Sequence, residues 1–155
     1  MTTILDCLWL PAKDGDPRAF DIMRRHYTYQ AYRDNRRCAS GNYRNKRMFV
    51  GPGAKMVLLR QACDALFVWR KFIDKSGQSG INCAVFRNES AILSSSLILE
   101  AEQLAWARWP GERLYTYVNA GAVRSANPGY CFKMAGWRPC GFSSAKKLVI
   151  LEKLP

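Results

Sequence analysis

The chain has 155 residues, 48% of them hydrophobic, which is enough for one domain with its own core and too few for two. Its formal charge of +12 points to a polyanionic partner, with nucleic acid the first choice. No apolar run approaches the roughly 20 residues that span a bilayer, and Asp6 stands where a leader peptide carries basic residues, so no membrane partner and a cytoplasmic location are expected.

In chain order, residues 4–10 are apolar and read as a first strand. Asp16-Pro17 supplies an N-cap and then a helix-opening proline. Phe20, Met23, Tyr27 and Ala31 recur at helical spacing, so a helix is predicted over 16–33. From Arg24 to Arg47 the chain holds eight basic residues against one acid, Asp34, with Tyr27, Tyr29, Tyr32 and Tyr43 among them. Cations neutralise phosphates and tyrosine rings stack on exposed or flipped bases. That chemistry nominates Arg24, Arg25, Tyr27, Tyr32, Arg33, Arg36, Arg37, Arg44, Lys46 and Arg47 as nucleic-acid-binding residues. A solvated helix face followed by a loop is the plainer alternative.

Residues 55–61 and 66–72 are β-branched and aromatic-containing runs joined across Ala62-Cys63-Asp64, the pattern of a hairpin. A polar, glycine-rich stretch over 74–80 leads into a third strand at 81–87, making an antiparallel meander. Beyond Ser94 the period changes: Leu97, Ile98, Ala101, Leu104 and Ala105 share one helical face, serines 94 to 96 are placed to cap it, and Pro110-Gly111 stops it. A strand follows at 114–118. Asn127 then offers an N-cap, Pro128 suits a first helical turn, and Gly136 suits the left-handed position after a short helix. A last strand is predicted at 148–151.

Six cysteines occur with no Cys-x-x-Cys pair, which argues against a zinc ribbon or a thioredoxin motif. Cys63, Cys83 and Cys131 sit in apolar surroundings and read as reduced, buried small hydrophobes. His26, the only histidine, is a candidate proton acceptor or a structural residue of an amphipathic helix. Tyr115 and Tyr117 alternate with Leu114, Thr116 and Val118, so one set faces the core and the other the opposite side. Tyr117 and Asn119 fall at the C-terminal end of that strand. Trp69, Trp106, Trp109 and Trp137 read as core or core-edge residues. Glu89, Glu100 and Glu102 form no pair at a motif spacing, and Glu89 reads as an exposed loop residue.

The 114–118 strand, the segment NAGAVRSANPGYCFKMAGW (119–137) and the 148–151 strand together resemble the closing β–α–β unit of the GCN5-related N-acetyltransferase (GNAT) family. The element order matches that family over nearly the whole chain, 1–155 as one domain. The resemblance implies an α/β fold with a mixed, mostly antiparallel central sheet, flanking helices and a splay between the fourth and fifth strands. It implies acetyl-CoA or another acyl-CoA as cofactor, its pantetheine paired with the strand edge at Val85 and Phe86. The pyrophosphate would rest near Arg87, Asn88, Ser94, Ser95 and Ser96, with Asn127 a further contact. The family signature places Arg or Gln, two residues, Gly, one residue, then Gly or Ala at that loop. Here the loop reads RNESAILSSS, without glycine. Phe132 stands four residues before Gly136-Trp137, where many family members carry a tyrosine that protonates the leaving thiolate; Tyr130 either reaches the same spot or packs.

Arg87 to Ser96, the TYVN strand end at 116–119, the NPGYCF helix and the His26-Tyr27 pair further resemble the phage Mom-type DNA modification proteins. That resemblance implies modification of a base in double-stranded DNA, the exocyclic amine of adenine first, with protection from restriction in a phage-infected host. His26, Tyr117, Asn119 and Tyr130 are then the catalytic candidates, although Asn119 stands where that branch has an acid. No metal is expected. The alternatives are an acetyl-CoA-dependent N-acetyltransferase acting on tRNA, a protein or a small amine, and a catalytically inactive basic nucleic-acid-binding protein of the same fold.

Overall fold

The structure is a computed structural model that describes residues 8–26, 48–73, 77–121, 127–144 and 147–155. Its centre is a seven-stranded sheet in the order β1-β2-β3-β4-β5-β7-β6. The strands are β1 (Leu10–Ala12), β2 (Ala54–Leu59), β3 (Ala65–Lys71), β4 (Ile81–Asn88), β5 (Leu114–Val118), β6 (Arg138–Phe142) and β7 (Val149–Lys153). Every neighbouring pair is antiparallel except β4 and β5. The helices are α1 (Pro17–Met23), α2 (Ser94–Arg108) and α3 (Tyr130–Met134). The fold is thus mixed α/β, as the sequence implies.

The helices divide between the two faces of the sheet. Ala19, Ile22 and Met23 of α1 pack on Val57, Leu59, Leu66, Val68 and Val85. On the other face Leu97, Ile98, Ala101 and Ala105 of α2 and Phe132 of α3 join Leu58, Phe67, Trp69, Cys83, Leu114, Val118 and Leu151. Of the α2 stripe expected at 97, 98, 101, 104 and 105, all but Leu104 are fully buried, and Leu104 packs partly buried against the same core. Each such leucine or isoleucine contributes about 1.5–3 kcal/mol of transfer free energy. Two indoles fix the helix's height: Trp9 Nε1 donates to the Leu97 carbonyl at 2.9 Å and Trp69 Nε1 to the Ala101 carbonyl at 2.9 Å. Trp69, Trp109 and Trp137 are buried and Trp106 packs at the core's edge, in agreement with the sequence.

The 114–118 strand and the start of α2 fall where the sequence places them, and the 54–59, 65–71 and 81–88 strands form the expected meander. Asp16 caps α1, its Oδ1 accepting from the Arg18 N–H at 2.9 Å, and Pro17 opens the helix. Three expectations are corrected. Helix α1 ends at Met23, and the rest of the predicted 16–33 span from residue 27 lies outside the described residues, as does most of the predicted 4–10 strand. Serines 94 to 96 do not cap α2: Leu93 occupies the N-cap position in an extended conformation and no side chain caps it. Asn127 is not the N-cap of α3; Gly129 is, at φ 78°. A β-carbon there would meet Leu151 Cδ1 at 2.6 Å, so closeness to β7 as well as the left-handed backbone demands glycine. Gly136, at φ 94°, is left-handed just after α3, as predicted. An additional strand, β6, was not foreseen.

Candidate functional site

The parallel ladder between β4 and β5 pairs Ile81 with Leu114, Asn82 with Tyr115 and Cys83 with Thr116. The ladder between β4 and β3 continues to Asn88. At the last β4–β5 pair the Thr116 hydroxyl donates to the Cys83 carbonyl at 3.0 Å. Immediately beyond, the register against β3 shifts between Val68 and Trp69, leaving Ala84 as an extra residue. Such a bulge bends a strand and re-aims the side chains after it. Its consequence is visible: Val85 turns toward α1, and Phe86 toward Phe67 and Phe132. Burial raises the pKa of the Cys83 thiol, in keeping with its reading as a buried hydrophobe. Cys63 and Cys131 are only half-buried.

His26 lies just after α1, on the face that α1 covers, and is 7% exposed. It hydrogen-bonds the backbone of Phe86. Burial, and then the nearby Arg87 guanidinium, lower its pKa to about 4, so the imidazole is neutral at physiological pH. On β5, Leu114 and Val118 join the α2 side, which places Tyr115 and Tyr117 on the same face of the sheet as His26. Their rings meet edge to face at 5.7 Å. Tyr115 is fully buried, while Tyr117 is half-buried and Asn119, whose Oδ1 accepts from the Gly121 N–H at 3.1 Å, is exposed. His26 thus flanks β4, and Tyr117 lies one residue before the end of β5, on one side of the sheet. Tyr130 belongs to the other side: it lies in the first turn of α3, 54% exposed, while Phe132 is buried against Phe86 and Trp137.

The loop after β4 is tied down from both directions. Arg25 donates to Glu89 through Nε and Nη2, both at 2.7 Å, and Arg87 Nε donates to Glu89 Oε2 at 2.7 Å. Arg25 also reaches Asp21 at 3.1 Å. These guanidinium groups, Arg25 first, lower the Glu89 pKa to about 2. Glu89 is the exposed loop residue expected from sequence, and it also clamps α1 to the β4–α2 loop. Arg25, nominated for nucleic acid, is committed to this clamp, and Arg24 pairs with Asp21 at 2.6 Å while remaining largely exposed.

Within the same loop Asn88 makes a knot that sequence reasoning missed. Its Oδ1 accepts from the Ser90 N–H at 2.9 Å and the Ser90 hydroxyl at 2.5 Å, while its Nδ2 donates to the Ile92 carbonyl at 2.7 Å and to Ser94 Oγ at 2.9 Å. Ser90 Oγ accepts in turn from the Ile92 N–H at 3.1 Å. An Asn followed two residues later by Ser is the signal that could have found it, since Asn closes such a turn through its own side chain. Ser95 and Ser96 occupy the first turn of α2, and Asn127 Oδ1 accepts from Lys133 Nζ at 2.7 Å. Beyond Cys83 the β4–β5 ladder pairs no further residues, and the loop that follows is closed on itself by Asn88.

The charge distribution separates the described residues from the basic segment. Asp14, Asp16, Asp21, Asp64, Glu89, Glu102, Glu112 and Glu152 each lie in an ion pair. Residues 27–47, by contrast, hold Arg33, Arg36, Arg37, Arg44, Lys46 and Arg47 against Asp34 alone. Tyr27, Tyr32 and those six cations lie outside the described residues. Among the described residues no group of three or more His, Cys, Asp or Glu could hold a metal, and no helix is long and apolar enough to cross a membrane. Comparison with known proteins finds no matching family model, no matching curated protein and no matching solved structure.

Proposed function

We propose that this chain is an acyltransferase of the GNAT type that modifies a base in DNA, the exocyclic amine of adenine first. The observation that carries the reading is the three-residue parallel ladder between β4 and β5, closed by Thr116 on Cys83 and followed by the bulge at Ala84. It supports a splay between the fourth and fifth strands, the feature expected of that family. The flanking residues support the chemistry. When bound, an acyl thioester supplies an electrophilic carbonyl at the edge of β4. His26, neutral and beside Phe86, accepts the proton of the attacking amine; Tyr117 and Asn119 hold that amine or a relaying water from the β5 side. The new N–C bond replaces the C–S bond, and the thiol departs with a proton. Backbone N–H groups of β4 after Cys83 are the donors available to the developing oxyanion.

The DNA part of the reading rests on the excess of cations and the tyrosines of 27–47, a composition suited to phosphates and flipped bases. Phage Mom-type modification, with protection of DNA from restriction, is the specific form. One observation favours the non-catalytic alternative, a basic nucleic-acid-binding protein: Phe132, packed between Phe86 and Trp137, replaces the tyrosine expected to protonate the leaving thiolate. Purified protein incubated with plasmid DNA and a 14C-acetyl thioester separates the two. Label retained in DNA after protease digestion supports the enzyme. DNA binding without label, under conditions where the protein is folded, supports the alternative.

A further inference from the structure

We infer, building on the donor site proposed above, that this site recognises the thioester arm of its donor and gives the nucleotide diphosphate no specific grip. The family signature that would cradle a diphosphate maps onto Arg87, Ser90 and Ile92. Each of these positions is already occupied within the protein. Arg87 Nε is bound to Glu89 Oε2 at 2.7 Å, and that carboxylate is shared with Arg25. The Ser90 N–H is held by Asn88 Oδ1 at 2.9 Å, and the Ile92 N–H by Ser90 Oγ at 3.1 Å. The Glu89 N–H goes to the Asp64 carbonyl at 2.7 Å.

Glycines at such positions let a backbone approach an anion closely. Here the Asn88 amide takes the Ser90 N–H and bridges Ile92 and Ser94. A diphosphate would have to break three internal hydrogen bonds and separate Arg87 from Glu89, exchanging satisfied groups for satisfied groups. The start of α2 keeps its dipole, an attraction common to any anion and worth roughly 2- to 5-fold in affinity. None of these bonds involves Val85 or Phe86 of β4. A pantetheine thioester, with or without a nucleotide attached, is therefore the donor class.

Calorimetric titration of the DNA-free protein with CoA and with pantetheine, at a salt concentration that screens its high net charge, tests this. The expected result is affinities within about fivefold of each other. CoA binding 100-fold tighter or more overturns the inference, and so does the absence of binding by both. The N88G/S90G double variant removes the knot; CoA should then tighten at least tenfold while pantetheine binding, which reports an intact fold, stays unchanged. An unchanged CoA affinity alongside unchanged pantetheine binding removes the knot as the cause and overturns the argument. Matched affinities in a protein that never labels DNA leave this inference standing and sink the proposed function. Labelling that depends on a 100-fold CoA preference does the reverse.

Discussion

Glu102 offers the sharpest test of how the C-terminal half is held together. It is fully buried on α2, its Oε1 2.5 Å from Lys153 Nζ on β7, and its Oε2 accepts from Trp137 Nε1 at 3.3 Å. Lys153 also donates to the Ala135 carbonyl at 2.7 Å. One carboxylate thus joins α2, the turn after α3 and the last strand. Burial outweighs Lys153 and Trp137 and raises its pKa, so desolvation is the larger effect. Removing one partner leaves the other uncompensated, typically a cost of about 3–5 kcal/mol. Because Lys153 is 23% exposed and keeps Ala135, the low end applies; Glu102→Leu should cost about 3 kcal/mol, including the lost indole bond. Replacing the pair with apolar residues removes the desolvation as well, so Glu102→Leu with Lys153→Met should lie within about 1 kcal/mol of wild type. Urea unfolding of wild type, both single variants and the double variant gives the cycle. A single-variant cost below about 1 kcal/mol, or a double variant as unstable as the two singles summed, would refute the reasoning.

Three further outcomes are expected. Glu89 is a carboxylate with a lowered pKa, so its stabilisation is present above the ordinary carboxylate pKa and lost as pH falls toward about 2. Allowing for its partial exposure, Glu89→Gln should cost about 1–2 kcal/mol at pH 7 and almost nothing near pH 2, measured by denaturant unfolding at both. His26 has its pKa lowered to about 4, so the unfolded chain binds the extra proton and stability declines as pH falls from about 6.5 to 4. His26→Gln should flatten that part of the thermal-stability profile; an unchanged slope would place the titration elsewhere. DNA affinity should fall with salt along a log–log slope of about −4 to −5 if five of the six cations in 27–47 meet phosphates. Replacing Arg36 and Arg37 with Gln should reduce the magnitude of that slope by about 2.

Much of the fold was legible because hydrophobic period follows secondary structure. The α2 stripe and the alternation at 114–118 needed nothing else. Where the sequence misled, a tertiary contact had decided the outcome. In β6, Pro139 and Gly141 resemble a turn, yet an edge strand needs hydrogen bonds on one side only, and β7 supplies them. Asn127-Pro128 is a sound helix opening locally, but α3 is capped two residues later by Gly129, left-handed and packed close to Leu151. The serines that open α2 look like caps, whereas the loop's hydrogen bonds are organised by Asn88 upstream. The candidate site was legible in part. The ends of β4 and β5 follow from topology, and Tyr117 and Asn119 from strand position. The burial of His26 and the Arg25–Glu89–Arg87 clamp depend on how α1 meets β4, which no local pattern encodes.

The most direct test of base modification is mass spectrometry of nucleosides from plasmid DNA and tRNA of cells expressing the protein, beside His26→Ala and Tyr117→Phe variants. The account predicts a new deoxyadenosine mass in DNA from wild-type cells, strongly reduced by His26→Ala. Soluble wild-type protein with unmodified DNA and tRNA would contradict it.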